Sequence, residues 1–175
     1  DVVECGVFKG ISLTRFLTFR EILENKNSRK IYGFDVFGKF PKPKNQGDRK
    51  FLKKWEKNSG DGIDIDELNK ILLKKNFSNF ELVKGDVKKT IPNIIKKTSN
   101  LKIAFLHLDM DIYEPTKFVL KTLFKYVVKG GVILIDDYNT VFGATKATDE
   151  FLDTNKNLEI KKLKFNNNPS FIIKK

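Results

Sequence analysis

Leu101-Lys-Ile-Ala-Phe-Leu-His-Leu-Asp109-Met-Asp111-Ile-Tyr113 is the stretch on which the reading of this chain turns. Its first eight residues are almost continuously apolar, as a strand buried on both faces must be, and such strands belong to parallel sheets covered by helices. The run then breaks into Asp-Met-Asp. A second apolar run, Val132–Ile135, ends in the same way, with Asp136-Asp137-Tyr138. Two buried strands that both end in paired acids predict carboxylates gathered at one edge of a sheet.

The rest of the chain alternates in the same rhythm. Val2–Val7 predicts a strand that runs into a glycine-containing turn, and Ser12–Glu24 a helix with Leu13, Phe16, Leu17 and Leu23 on one face. Lys30–Phe34 and Phe80–Lys84 predict two more strands. Helices are expected after Asp66, over Lys89–Lys97, over Thr116–Val128 (stopped by Gly130-Gly131) and over Lys146–Asn155. Residues 38–62 carry Pro41, Pro43, Gly47, Gly60 and Gly62 and predict a lid-like insertion. Leu158–Phe165 and Ser170–Lys174, joined by a turn, predict a closing pair of strands. Strands alternating with helices give an α/β fold, doubly wound and Rossmann-like. The sheet is mainly parallel, with a C-terminal antiparallel edge hairpin. One domain over residues 1–175 is expected. Because the chain opens at Asp1 directly on a strand, an N-terminal segment is expected to be missing.

Composition narrows the chemistry. The 175 residues are 40% hydrophobic and 32% charged, in the range of a globular chain rather than a disordered one. No apolar run reaches the ~18 residues of a membrane span. With one cysteine, Cys5, there is no intrachain disulfide, and a reducing, cytoplasmic compartment is expected. With one histidine, His107, a Cys/His zinc site cannot be assembled, so any metal must be held by oxygen. The net charge of +12 invites a nucleic-acid partner. Only four of the 34 basic residues are arginine, the residue that reads guanine bidentately, so nucleic acid is disfavoured. A homo-oligomer is compatible with the sequence.

In doubly wound sheets ligands bind beyond the carboxyl ends of the strands. The first strand leads into Glu4-Cys-Gly6-Val-Phe-Lys-Gly10-Ile-Ser12, where glycines allow a close ligand and a helix N-terminus follows. The second is followed by Asp35, suited to ribose hydroxyls, and the third by Asp86, suited to an adenine amino group or to capping a helix. Asp109, Asp111, Asp136 and Asp137 would repel one another unless a cation, protons or distance intervened. A hard divalent ion such as Mg²⁺ resolves that best. The plainer roles, turn caps facing solvent, remain open for each aspartate. His107 is expected to be a hydrogen-bonded core histidine, Cys5 a packed residue, and Trp55 part of the lid's packing.

Taken together these segments resemble the class I S-adenosylmethionine-dependent methyltransferases, and more narrowly the macrocin O-methyltransferase family. The resemblance runs in order through Val3–Gly10, Ile31–Phe37 with Pro41, Gly85–Pro92, Leu106–Thr116 and Gly130–Tyr138. It implies S-adenosylmethionine and Mg²⁺ as cofactors, and methylation of a hydroxyl on a sugar, nucleotide-sugar or glycosylated small molecule. It further implies that Glu4, Gly6, Gly10 and Ser12 hold the methionine part of the cofactor, with Asp35 at the ribose, Asp86 at the adenine and Asp109 beside them. Asp109, Asp136 and Asp137 match metal ligands and Asp111 a general base. The chain departs from the family's pattern at Gly10-Ile11-Ser12, where Gly-Gly-Ser is common. A nucleic-acid methyltransferase of the same fold and a non-catalytic module are the alternatives.

Overall fold

A computed structural model describes all 175 residues. Seven strands form one sheet in the order β3-β2-β1-β4-β5-β7-β6. The first four are β1 (Val2–Cys5), β2 (Ile31–Asp35), β3 (Phe80–Lys84) and β4 (Ile103–Leu108). Then come β5 (Val127–Ile135), β6 (Ile160–Lys162) and β7 (Ser170–Ile173). β3, β2, β1, β4 and β5 are mutually parallel. β7 runs antiparallel to β5 and β6 antiparallel to β7, which makes the closing pair an edge hairpin with β7 on the inside. The expected doubly wound α/β architecture is therefore the one observed.

The helices are α1 (Ile11–Leu23), α2 (Gln46–Ser59), α3 (Ile65–Lys74), α4 (Val87–Lys97), α5 (Tyr113–Leu123) and α6 (Phe142–Thr154). They cover both faces of the sheet, so the core is split in two. On one side Ile91 and Ile94 of α4 and Leu120 and Leu123 of α5 pack with Val3, Phe34 and Leu106. On the other, Leu13 and Leu17 of α1 and Leu68 and Leu72 of α3 pack with Val2 and Ile31. The pleat assigns the strand residues, since neighbours in a strand point to opposite faces. None of the helices is long and apolar enough to cross a membrane.

Three local expectations are corrected. The helix predicted to run to Val128 ends at Leu123. A single 3₁₀ turn, Phe124–Tyr126, follows, and Val127-Val128 already belong to β5. Both residues suit a strand, and the β4–β5 register shift between Ile103 and Phe105 absorbs the glycine pair Gly130-Gly131. Residues 38–62 are largely helical, because Asn45 caps α2 by accepting from the Asp48 amide at 2.8 Å. The first strand stops at Cys5, because Gly6 turns the backbone to φ +93°.

Candidate active site

The strand order places the crossover at β1 and β4, where the chain stops building outward on one side and restarts on the other. A cavity of about 560 Å³ opens there, beyond the carboxyl ends of the strands. It is within the size range of small-molecule sites. Of the predicted site residues, Gly6, Asp35, Asp86, Asp109, Asp111, Asp136 and Asp137 line it. Glu4, Gly10 and Ser12 do not.

Gly6 forms the tightest part of the floor. A Cβ there would overlap the Asp109 carbonyl oxygen, so the β1 turn and the β4 tip are in direct backbone contact. Gly10 is in the left-handed region at φ +77° and starts α1, with its missing side chain replaced by Leu68 of α3. It packs helices together rather than facing the cavity. Asp35 accepts from Val7 N at 2.7 Å and Phe8 N at 3.0 Å through Oδ2, and from Phe37 N at 2.7 Å through Oδ1. It thus fixes the first turn and its own loop while still bordering the cavity. Asp86 caps α4, accepting from Lys88 N at 2.9 Å.

Glu4 lies away from the cavity. It is fully buried, and its Oε1 meets His107 Nδ1 at 2.9 Å across the β1–β4 pair. His107 lies 5.3 Å from the Phe16 ring, edge to face, and its Nε2 is 3.9 Å from Asp136 Oδ1. Burial works against a proton on this imidazole, but the nearby carboxylates of Asp136 and Glu4, the latter hydrogen-bonded, outweigh it and push the pKa up to about 9. His107 is therefore a hydrogen-bonded core residue placed between two acids. The nearby Cys5 thiol is fully buried, and burial raises its pKa.

The carboxylates of Asp109, Asp111 and Asp137 bring one oxygen each within 4.8 Å of one another. The resemblance implies Asp109, Asp136 and Asp137 as metal ligands; the oxygens that converge here are those of Asp109, Asp111 and Asp137, while Asp136 Oδ1 lies 3.9 Å from His107 Nε2. A turn, not the strand's pleat, brings Asp109 and Asp111 together. β4 ends at Leu108, and Asp111 sits in the left-handed region at φ +60°, a conformation that aspartate tolerates better than most side chains. Burial, then the charges of Asp136 and Asp137, raises Asp109 to about 7. Burial, then Asp137 and Asp109, raises Asp111 to about 8, and burial with Asp136 raises Asp137 to about 6. Asp137 Oδ2 is buried without a hydrogen-bond partner. Three carboxylates with converging oxygens, and an unpartnered oxygen on one of the three, match the needs of a hard divalent cation.

The sequence reading missed Asp48. Only 1% exposed, it sits on α2 at the cavity's edge and accepts from Tyr113 N at 2.9 Å, the first amide of α5. Nothing local to the polar stretch 44–50 signals a buried acid there. Trp55 packs edge-on against Phe8 at 4.9 Å and Phe40 at 5.3 Å, joining the lid helix to the β1 turn.

The profile of the macrocin-O-methyltransferase (TylF) family matches residues 1–164. The demethyldecarbamoylnovobiocin O-methyltransferase of Streptomyces niveus is 29% identical over 160 residues. That match takes in 86% of this chain, and the chain spans 57% of the length of that relative. The fold is that of the O-methyltransferase NovP, with a TM-score of 0.81, 24% identity, and coverage of 99% of this chain and 71% of that one. The calicheamicin methyltransferase CalS11 is also similar, at a TM-score of 0.72 and 25% identity, over 98% of this chain and 71% of that one.

Proposed function

The chain belongs to the macrocin O-methyltransferase family, and from that membership we propose that it methylates a hydroxyl of a sugar, nucleotide-sugar or glycosylated small molecule, using S-adenosylmethionine and Mg²⁺. The observation that carries this reading is the convergence of Asp109, Asp111 and Asp137 in the cavity at the β1/β4 crossover. Its relatives support the acceptor class: one is named for a novobiocin precursor and one is described as a TDP-rhamnose 3'-O-methyltransferase.

The roles follow from chemistry. S-adenosylmethionine, when bound, supplies an electrophilic methyl group on a sulfonium. Its positive charge suits a cavity bordered by Asp35, Asp86 and Asp109. Gly6 lines the cavity where the β1 turn closes on the Asp109 carbonyl, and Asp86 is placed at the edge for the adenine side. A divalent cation, when bound, supplies Lewis acidity that makes an alcohol easier to deprotonate. Asp109 and Asp137 would hold it, with Asp136 as the third oxygen donor. Asp111 takes the hydroxyl proton. It lines the cavity beside Asp109 and Asp137, within reach of a hydroxyl held there. The lid helix α2, with Trp55 against Phe8, excludes water from the cavity. Only four of the 34 basic residues are arginine, the residue that reads bases bidentately, so nucleic acid is the weaker reading. The one cysteine, reduced and buried, fits a cytoplasmic enzyme.

The test is transfer of labelled methyl from S-adenosylmethionine to a panel of nucleotide-sugars, glycosides and RNA, with Mg²⁺ or with EDTA. Mg²⁺-dependent labelling of a sugar acceptor is expected. Asp111→Asn should lower kcat by about 10²-fold or more, in the range for losing a positioned base, with little change in KM. Labelling confined to RNA, or unaffected by EDTA, would overturn the reading.

A further inference from the structure

We propose that Asp48 is a positioning residue, a latch that couples the lid helix to the tip carrying Asp109 and Asp111. Its carboxylate stands where three helices begin. It is the third residue of α2, where Asn45 caps the helix and also donates from Nδ2 to Asp48 Oδ2. The same oxygen accepts from Tyr113 N at 2.9 Å. α5 has no cap of its own, because its N-cap position is Ile112, so the lid supplies the missing acceptor. The third helix is α6. A Cβ at its Gly143 would strike Asp48 Oδ1 and the Tyr113 amide. Its next residue, Ala144, donates to the Asp111 carbonyl at 3.0 Å.

Helix N-termini favour a negative charge, and three of them explain how a carboxylate with one unpartnered oxygen stays buried without a counter-ion beside it. Tyr113 follows Asp111 by two residues. A lid that moves away uncaps α5 at the point where the acidic tip ends, and a tip that shifts releases the lid. The lid is otherwise held to the β1 turn by Trp55 on Phe8 and by a bond from Lys9 Nζ to the Ser59 carbonyl at 3.1 Å. Asp48 is thus its buried polar tie to the opposite wall of the cavity. This inference rests on the packing and holds whichever acceptor is methylated.

Trp55 is the only tryptophan, so its emission reports the lid. Asp48→Ala is expected to raise acrylamide quenching of Trp55 several-fold and to speed tryptic cleavage within residues 39–57 at least tenfold, with far-UV circular dichroism unchanged. Asp48→Asn keeps an acceptor for the Tyr113 amide and should restore most of the protection. Gly143→Ala disturbs the junction from the far side and should loosen the lid as Asp48→Ala does, although alanine is the better helix former. S-adenosylhomocysteine should protect the lid of the wild type and bind Asp48→Ala without protecting it. Quenching and cleavage in Asp48→Ala and Gly143→Ala that match a folded wild type would overturn the latch. Failure of the wild type to bind S-adenosylhomocysteine would count against the methyltransferase reading instead, and the ligand-free measurements would still decide the latch.

Discussion

Gly6→Ala is expected to abolish cofactor binding and to destabilise the fold by about 2–5 kcal/mol. Two costs combine. At φ +93° a side chain is strained, at roughly 1–2 kcal/mol. Its Cβ would also overlap the Asp109 carbonyl, and overpacking of a fixed site costs roughly 1–3 kcal/mol. The neighbour cannot give way cheaply, because it is backbone. Gly6 N donates to the Phe34 carbonyl at 2.9 Å and Asp109 N to the Cys5 carbonyl at 2.9 Å, so both sides are tied into the sheet. Domains of this kind hold only ~5–15 kcal/mol in total, so the loss is a large share. Denaturant unfolding should show the drop in stability, and any folded variant should show no calorimetric heat with S-adenosylhomocysteine. A variant with wild-type stability and affinity would mean that β1 and β4 do not meet as described.

The second large effect is on pH. Asp109, Asp111 and Asp137 have folded pKa values of about 7, 8 and 6, all raised from the usual 3.8. A raised carboxylate adds stability that is complete below its unfolded value and lost as pH climbs through the folded one. The metal-free protein should therefore weaken between about pH 4 and pH 8. His107, raised from 6.5 to about 9, acts in the same direction at the upper end of that window. Three pKa units on Asp109 alone correspond to ~4 kcal/mol, and its partial exposure to solvent discounts that to about 2. Mg²⁺ should reverse the trend, because it competes with the protons for the same oxygens. At a hundredfold excess over its Kd it adds about 2.7 kcal/mol, which should appear at pH 8 and fade toward pH 5. Thermal unfolding at several pH values, with Mg²⁺ and with EDTA, checks this. Stability that is flat from pH 5 to 8 and indifferent to Mg²⁺ would contradict a carboxylate cation site.

These effects show what the sequence could and could not carry. The buried strands were legible because Leu106-His-Leu and Val132–Ile135 are apolar without a break, and the acids after them mark the sheet edge. Val127-Val128 were not legible as strand, because they continue the helical spacing of Leu120, Leu123 and Phe124. Helix α2 was hidden by its own composition, with charged residues on most of its surface and prolines just before it. The family resemblance implies that Glu4 holds part of the cofactor. The pleat instead buries it beside His107, a pairing that depends on β1 and β4 lying side by side. The burial of Asp48 is not legible locally: apart from its capping neighbour Asn45, it meets the Tyr113 amide and Gly143, both more than 60 residues away.

The central claim is that this cavity holds S-adenosylmethionine beside a cation gripped by its aspartates. Calorimetric titration with S-adenosylhomocysteine, in Mg²⁺ and then in EDTA, on wild type and on Asp109→Asn, tests it most directly. The account predicts micromolar binding to the wild type, a cation response, and loss of that response in the variant. No binding to a folded wild-type protein in either condition would contradict it.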